Sequence, residues 1–242
     1  MSKDIRLFIK NCANCTIIKS NKPLKPLNKQ IISYFPLERL ELDLTYLSKI
    51  YPKNASKYKY IFSIVDHFSK YAKAYLLVTK EAKEVLNYLK KFIDEYSKPN
   101  IVQSDNGGEI TANIIKNYLK EEGILFINSG VSHPQTNGVV EAFNKNIINK
   151  LEYTLLDKNN KFDIEMGILK AEEIYNNVIH TTTKIEPVKA FKFKKEEDIN
   201  KLITNVIKSQ NYVYKSYEGL KKGEKCLLND NFQIKNNILN YI

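Results

Sequence analysis

A short apolar segment that ends in an acid and a glycine turn constrains this chain more than any other feature. Residues 101–104 have the composition of a short buried strand. Asp105 follows this strand directly, and Asn106, Gly107 and Gly108 then break it with a turn. The segment therefore predicts a strand that carries a carboxylate at its end.

Two further acids have a similarly specific setting. Asp43 lies in ERLELDLTYL, where it alternates with leucines and so points away from the face that they form. Glu141 lies in HPQTNGVVEA, near the start of a helix that follows a loop rich in Pro, Thr, Asn and Gly. A strand interior, a strand end and a helix start can bring three carboxylates together at one edge of a sheet.

Three such carboxylates suit a particular chemistry. Two divalent metals roughly 3.5–4 Å apart can activate an attacking oxygen and stabilise a leaving oxygen in phosphoryl transfer. Mg²⁺ and Mn²⁺ prefer oxygen ligands, so a few carboxylates from separate elements suffice. The chain has 27 acids, and any one of them taken alone is more simply a solvated surface group. The shared setting of Asp43, Asp105 and Glu141 favours a catalytic metal site.

The ordered motifs around these acids resemble the catalytic core of retroviral and long-terminal-repeat retrotransposon (gypsy-like) integrases, the DDE type. The 35 residues between Asp105 and Glu141 match the spacing in that family. The resemblance covers roughly residues 10–228 and rests on these segments: FSIVDHFSKYAKAYLL, SDNGGEI, SHPQTNGVVEAFNK and YNNVIHTTTKIEPVKAF.

The resemblance implies an α/β fold, a ribonuclease-H-like core with a mixed five-stranded sheet flanked by helices and short N- and C-terminal extensions. The pattern itself predicts strands at 38–46, 58–65, 72–78, 101–104 and 124–127. It predicts helices at 81–96, 111–122 (with Thr111 as N-cap), 163–178 and 199–217, besides the helix of Glu141. The predicted buried stripes are Val140, Phe143, Ile147 and Leu151 in the helix of Glu141, and Ile164, Ile168, Ala171, Tyr175 and Val178 in the helix that follows it. The first three strands are expected to form an antiparallel meander.

Four regions are predicted along the chain. Residues 1–30 are interpreted as the remnant of an N-terminal zinc-binding domain with a linker, and residues 31–160 as the integrase catalytic core. Residues 161–210 are interpreted as a helical extension, and residues 211–242 as the start of an incomplete C-terminal barrel.

The zinc interpretation depends on a single cysteine pair. Cys12 and Cys15 can supply two of the four ligands of a structural zinc. The three histidines of the chain, His67, His133 and His180, all lie downstream of them. Zinc is therefore expected only if the missing His pair is supplied, and a redox role for the C-x-x-C is less favoured because no strand precedes it.

The resemblance also implies DNA contacts around the acids. The predicted contacts are Asn106, Gln135, Asn137, Asn144 and Lys145. Lys145 lies one turn after Glu141, so the alternatives are a surface salt bridge with it and a phosphate contact.

A turn before the third strand holds two more titratable residues. Asp66 is open to interpretation as a fourth active-site acid, but a structural role in the turn is preferred because Asp favours turns. His67 is interpreted as a turn or surface residue and not as a ligand.

The charge of the chain fits a polyanionic partner. The net charge is +11 and the isoelectric point about 9.3, which suits DNA because phosphate contacts release counterions. A Lys-rich surface that only improves solubility is the alternative. No apolar run reaches the length of a membrane span, and no secretory signal opens the chain, so no membrane partner is expected.

These features together predict a metal-dependent polynucleotidyl transferase from a retrotransposon. It would process DNA 3′ ends and join them to target DNA by two-metal phosphoryl transfer, with Mg²⁺ or Mn²⁺ at Asp43, Asp105 and Glu141. The family implies a homo-multimer, and the DNA substrate implies the nucleus. The alternatives are a catalytically decayed or domesticated DNA-binding or assembly protein, and a nuclease of the same fold, which the 35-residue spacing disfavours.

Overall fold

The computed structural model describes residues 31–47, 56–105, 107–128, 137–154 and 163–215. The predicted zinc-domain remnant with Cys12 and Cys15 lies outside the described residues, as do Asn106, Gln135 and most of the predicted barrel segment. The helices and strands below belong to one unit of the chain, Ile32–Ile242.

Five strands form one mixed sheet, as predicted. They are β1 (Arg39–Tyr46), β2 (Tyr60–Asp66), β3 (Ala72–Leu77), β4 (Ile101–Ser104) and β5 (Leu125–Asn128). Their order across the sheet is β3-β2-β1-β4-β5. The first three strands pair antiparallel, which confirms the predicted meander, and β4 and β5 run parallel to β1.

Six described helices accompany the sheet. They are α1 (Ala82–Tyr96), α2 (Asn113–Glu121), α3 (Gly138–Thr154), α4 (Ile164–Asn177), α5 (Pro187–Ala190) and α6 (Glu196–Lys215). Helices α1 and α2 cover one face of the sheet and α3 and α4 the other, because apolar side chains of β2 and β3 point alternately to both faces.

Strand β1 has a different character on its two faces. Leu40 and Leu42 are fully buried in the core under α1 and α2. Asp43 alternates with them and lies on the opposite face, as the sequence predicts. Polar and charged residues therefore follow β1 on the side where α3 packs.

The apolar stripes of the helices match their predicted positions with one exception. In α3, the predicted stripe of Val140, Phe143, Ile147 and Leu151 is fully buried. In α4 the prediction for Val178 is wrong, because that residue is 55% exposed. The helix ends at Asn177 and Val178 has extended backbone angles, so its side chain leaves the helical stripe.

The prediction that Thr111 caps the second helix is also wrong. The N-cap residue of α2 is Ala112. The Thr111 hydroxyl instead donates to the carbonyl oxygen of Gly107 at 3.0 Å. Thr111 therefore closes the turn that follows β4, two residues before the helix begins at Asn113.

A smaller apolar cluster joins the last helices to the sheet. Phe68, in the turn between β2 and β3, is buried with Ala190 of α5 and Leu202 of α6. Within the described part of the chain, no helix combines the length and the apolar character that a membrane crossing requires.

Candidate active site

The parallel pairing of β1 and β4 brings two of the predicted acids together. Leu42 of β1 is the register partner of Ser104, the last residue of β4. Asp43 and Asp105 are the next residues along each chain, and both line one open cavity of about 270 Å³. The other residues that line it are Leu44, Tyr46, Tyr60, Lys80, Gly107, Glu109 and Ile110.

The glycine turn after β4 holds Asp105 in place. The backbone N–H of Gly107 donates to Asp105 Oδ1 at 2.9 Å. A Cβ atom added to Gly107 would lie 3.1 Å from that same oxygen. A glycine at 107 therefore lets the backbone approach the exposed carboxylate closely.

Glu141 lies in the first turn of α3, as predicted, and is exposed. Burial raises the pKa of Asp43, and the negative charges of Asp105 and Glu141 raise it further. Asp105 and Glu141 are thus each close enough to Asp43 for their charge to act on it, although Glu141 does not line the cavity. Among the described residues, no three His, Cys, Asp or Glu side chains form a ready-made metal site.

Asn144 connects α3 directly to Asp43. Its Nδ2 donates to Asp43 Oδ2 at 2.6 Å, and its Oδ1 accepts from the Ser63 hydroxyl of β2 at 2.5 Å. The side chain is 5% exposed. The sequence predicts that Asn144 contacts DNA; the structure places its amide inward, on Asp43, and the DNA contact stays a prediction.

Glu41 is the supporting residue that the sequence analysis missed. It lies two residues before Asp43 on the same face of β1 and is fully buried. Its Oε2 accepts the backbone N–H groups of Val139 at 3.1 Å and Val140 at 3.0 Å. A carboxylate of β1 therefore satisfies two donors at the start of the helix that carries Glu141.

The surroundings of Glu41 are strongly polar. Burial raises the pKa of Glu41 to about 7, while the two backbone N–H groups and the positive charges of Lys70 and Arg39 act in the opposite direction. His67 Nε2 lies 3.6 Å from Glu41 Oε1. The available sequence signal was that Glu41 shares the strand face of Asp43, which predicts proximity to the same helix.

A second set of polar contacts, from β4 and β1, fixes Asn137. Its Oδ1 accepts from Gln103 Nε2 at 3.0 Å, and the Gln103 Oε1 accepts from the Arg39 guanidinium. Asn137 is 5% exposed. Its predicted DNA contact stays a prediction, whereas its link to β1 and β4 anchors the residue just before α3.

The turn at Asp66 has the structural role that the sequence favoured. Asp66 is fully buried and accepts the backbone N–H groups of Leu37 and Ser69, both at 2.8 Å. His67 lies in the turn but not on the surface, because it is buried and its Nδ1 lies 2.9 Å from the Ser33 hydroxyl. Of the two settings expected for His67, the turn is confirmed and the surface position is not.

Lys145 follows Glu141 by one turn and is exposed. Between these two described residues the structure shows no ion pair within 4.0 Å, so the salt-bridge alternative is not realised here. Its contact with a DNA phosphate stays a prediction.

The order of the strands and the helices on both faces of the sheet define a ribonuclease-H-like fold. Asp43 and Asp105 lie side by side where the paired strands β1 and β4 meet the cavity. The integrase core domain family matches residues 34–134. The matched range, which includes Asp43 and Asp105 and ends before Glu141, is similar to an integrase core domain of the kind found in retroviral and retrotransposon proteins.

Individual relatives agree with this assignment. The chain is 27% identical over 202 residues to a retrovirus-related Pol polyprotein from transposon opus of Drosophila melanogaster, covering 83% of the chain and 19% of that polyprotein. It is 24% identical over 203 residues to the corresponding polyprotein from transposon gypsy of the same species, covering 84% and 19%. The chain thus spans about a fifth of the length of these relatives.

The solved structures that resemble this one confirm the fold. One is the HTLV-2 integrase catalytic core domain in complex with magnesium, in a trimeric form. It is 21% identical, with a TM-score of 0.55 over 67% of this chain and 99% of the HTLV-2 chain. The predicted α/β, ribonuclease-H-like core is confirmed.

Proposed function

We propose that this chain is an integrase-type polynucleotidyl transferase that processes DNA 3′ ends and joins them to target DNA. The observation that carries the proposal is the meeting of Asp43 and Asp105 in one cavity, with Glu141 close enough to affect the pKa of Asp43. Each acid is positioned by a separate element, as a phosphoryl-transfer site requires.

The residues fit a divalent cation. Asp43, Asp105 and Glu141 supply the hard oxygen ligands that Mg²⁺ prefers, and a cation beside Asp43 would offset the repulsion that the other two carboxylates exert on it. Mg²⁺ held by Asp43, Asp105 and Glu141 would act as a Lewis acid on the phosphate. A magnesium complex is also the form of the HTLV-2 core named above.

The remaining residues have positioning roles in this proposal. Asn144 orients the Asp43 carboxylate through its 2.6 Å hydrogen bond. Glu41 holds the start of α3, and with it Glu141, against β1. Lys145, exposed on the same helix, would bind a phosphate of the DNA.

The proposed substrate and assembly follow from charge and likeness. A net charge of +11 favours DNA held mainly through its phosphates. A homo-multimer is proposed because two DNA ends must be joined, and the HTLV-2 core is described as trimeric. The nucleus is the proposed location because it holds the target DNA.

The decisive experiment is strand transfer with a short pre-cut DNA duplex in Mg²⁺ or Mn²⁺. Asp105→Asn and Glu141→Gln are each expected to abolish joining while DNA binding persists. Glu121→Gln, which changes an exposed acid on α2, is the matched control and is expected to behave like wild type. Joining that survives both triad substitutions would show that the wrong acids have been named.

A binding-only role is the second candidate function. It is favoured by the finding that Glu141 does not line the cavity shared by Asp43 and Asp105. In the same experiment, DNA binding without joining in wild type under either metal would support this role and contradict the transferase.

A further inference from the structure

Two tyrosines border the carboxylate cavity and have no part in the mechanism above. Tyr46 ends β1, Tyr60 begins β2, and the two are register partners across the antiparallel pair. Their ring centroids are 5.3 Å apart with an angle of 46° between the ring planes. Both line the cavity of Asp43 and Asp105.

Packing against the core explains the presence of Tyr60, but it explains that of Tyr46 only in part. Tyr60 is half-buried and packs against the core under α1 and α2. Tyr46 rests on the Tyr60 ring but is 49% exposed. An aromatic ring that is supported from behind and open toward a cavity is a suitable surface on which a planar ligand can stack.

A positively charged side chain also lines the cavity. Lys80 lines it and forms an ion pair with Glu109 at 2.6 Å, with 59% of the Lys80 side chain exposed. Such an exposed ion pair is weak, so a phosphate can replace Glu109 as the partner of Lys80. The cavity thus offers an aromatic surface, a cation and a pair of carboxylates within one volume of about 270 Å³.

These three features match the parts of a nucleotide within a DNA strand. We propose that Tyr46, supported by Tyr60, stacks on the base of the nucleotide next to the reacting phosphodiester, while Lys80 contacts a neighbouring phosphate. Stacking on an aromatic ring tolerates any base, because every base has a π-face. The site would therefore hold a frayed DNA end in position without reading its sequence.

This inference rests on the proposed function for the identity of the strand, but its test does not depend on catalysis. The full chain is mixed, in buffer without divalent metal, with a short blunt duplex that carries 2-aminopurine near one 3′ end. Stacking on a tyrosine is expected to quench that base, so its fluorescence should be lower in the complex with wild type than in the complex with a variant that lacks the ring. The variants to compare with wild type are Tyr46→Phe, Tyr46→Leu and Tyr46→Ala.

The three variants separate stacking from other roles of Tyr46. Tyr46→Phe keeps the ring and is expected to keep the quenching. Tyr46→Leu keeps apolar bulk without a ring, and Tyr46→Ala removes both; each is expected to lose the quenching and to bind the duplex about tenfold more weakly. Tyr34→Ala, at a 56% exposed tyrosine that precedes β1, is the matched control and should behave like wild type.

Two results would overturn the inference. One is quenching by Tyr46→Leu and Tyr46→Ala that equals that of wild type; the other is a loss in Tyr46→Phe as large as in Tyr46→Ala, which would assign the effect to the hydroxyl. Strand transfer with the same proteins keeps the two proposals apart. Quenching that depends on Tyr46, without metal-dependent joining, would retain the stacking site and contradict the transferase. Joining that depends on Asp105 and Glu141, with equal quenching in wild type and the Tyr46 variants, would retain the transferase and contradict the stacking site.

Discussion

At the scale of single residues, Asn144 offers the sharpest test of how the acids are held. Asn144→Ala removes a hydrogen bond from Asp43 and another from the buried hydroxyl of Ser63. Leaving buried polar groups without partners costs about 1–3 kcal/mol, so chemical denaturation should show a loss of that size. Since the Asp43 carboxylate also loses its orientation, strand transfer should fall roughly tenfold to a hundredfold.

The matched control for this prediction lies on the same helix. Asn146 is exposed, and its side chain donates to the carbonyl oxygen of Ala142 in its own helix. Asn146→Ala should leave both stability and strand transfer near those of wild type. Equal effects of the two substitutions would mean that Asn144 acts through the helix and not through Asp43.

The sequence marked the three acids as candidates but not the residues that hold them. Asp43, Asp105 and Glu141 could be named because motifs and spacing along the chain mark them. Glu41 and Asn144 act through contacts between residues about a hundred positions apart, which no local pattern encodes. His67 lies in the turn where it was expected, but its burial beside Ser33 and Glu41 was not predicted, since neither residue belongs to that turn.

At the scale of elements, the start of α3 decides where Glu141 lies. The first N–H groups of a helix lack partners within it, and Glu41 of β1 accepts two of them. Glu41→Leu removes that acceptor, so the N–H groups of Val139 and Val140 should exchange with solvent faster. Glu41→Gln keeps an oxygen acceptor and should preserve their protection, as hydrogen exchange resolved by residue would show.

Helix α4 supplies the control for this prediction. The Asp163 carboxylate caps it by accepting the N–H groups of Glu165 at 3.0 Å and Met166 at 3.1 Å. Asp163→Ala should accelerate exchange at those two residues and leave Val139 and Val140 unchanged. Unaltered exchange at Val139 and Val140 in Glu41→Leu would contradict the anchoring role of Glu41.

Element types were predictable from the sequence, whereas their ends were less so. Alternation in β1 and the apolar stripe of α3 reflect burial on one face, which a periodic pattern records. The ends depend on single hydrogen bonds. Thr111 looked like an N-cap but donates to Gly107, and Val178 continued the stripe of α4 in sequence after the helix itself had ended.

At the scale of the whole molecule, the strand order brings the two acids together, because strands that are distant along the chain lie side by side in the sheet. Strand β1 lies between the antiparallel β2 and the parallel β4, although β3 and α1 separate β2 from β4 along the chain. This order places Asp43 beside Asp105. The meeting of the two acids was expected from the family resemblance, but the strand order itself was not predicted, because separations along the sequence do not show which strands become neighbours.

The same arrangement concentrates negative charge at one edge of the molecule, so the free energy of unfolding should report on metal binding. The pKa of Asp43 is raised above its ordinary value of 3.8, first by burial and then by Asp105 and Glu141. A raised carboxyl pKa adds stability that is fully present below the ordinary pKa and is lost as pH rises through the folded value. At neutral pH without metal, Asp43→Asn should therefore be more stable than wild type, and the difference should shrink as the pH falls toward 3.8.

Mg²⁺ should reverse this order, because a ligand that binds only the folded state stabilises it. At a concentration ten times its dissociation constant, the gain is about 1.4 kcal/mol. Thermal or chemical unfolding should show this gain in wild type and in Glu121→Gln, but not in Asp43→Asn or Asp105→Asn, which lack a carboxylate ligand. An equal response to Mg²⁺ in all four proteins would place the metal elsewhere, and the three acids would then have to be explained without it.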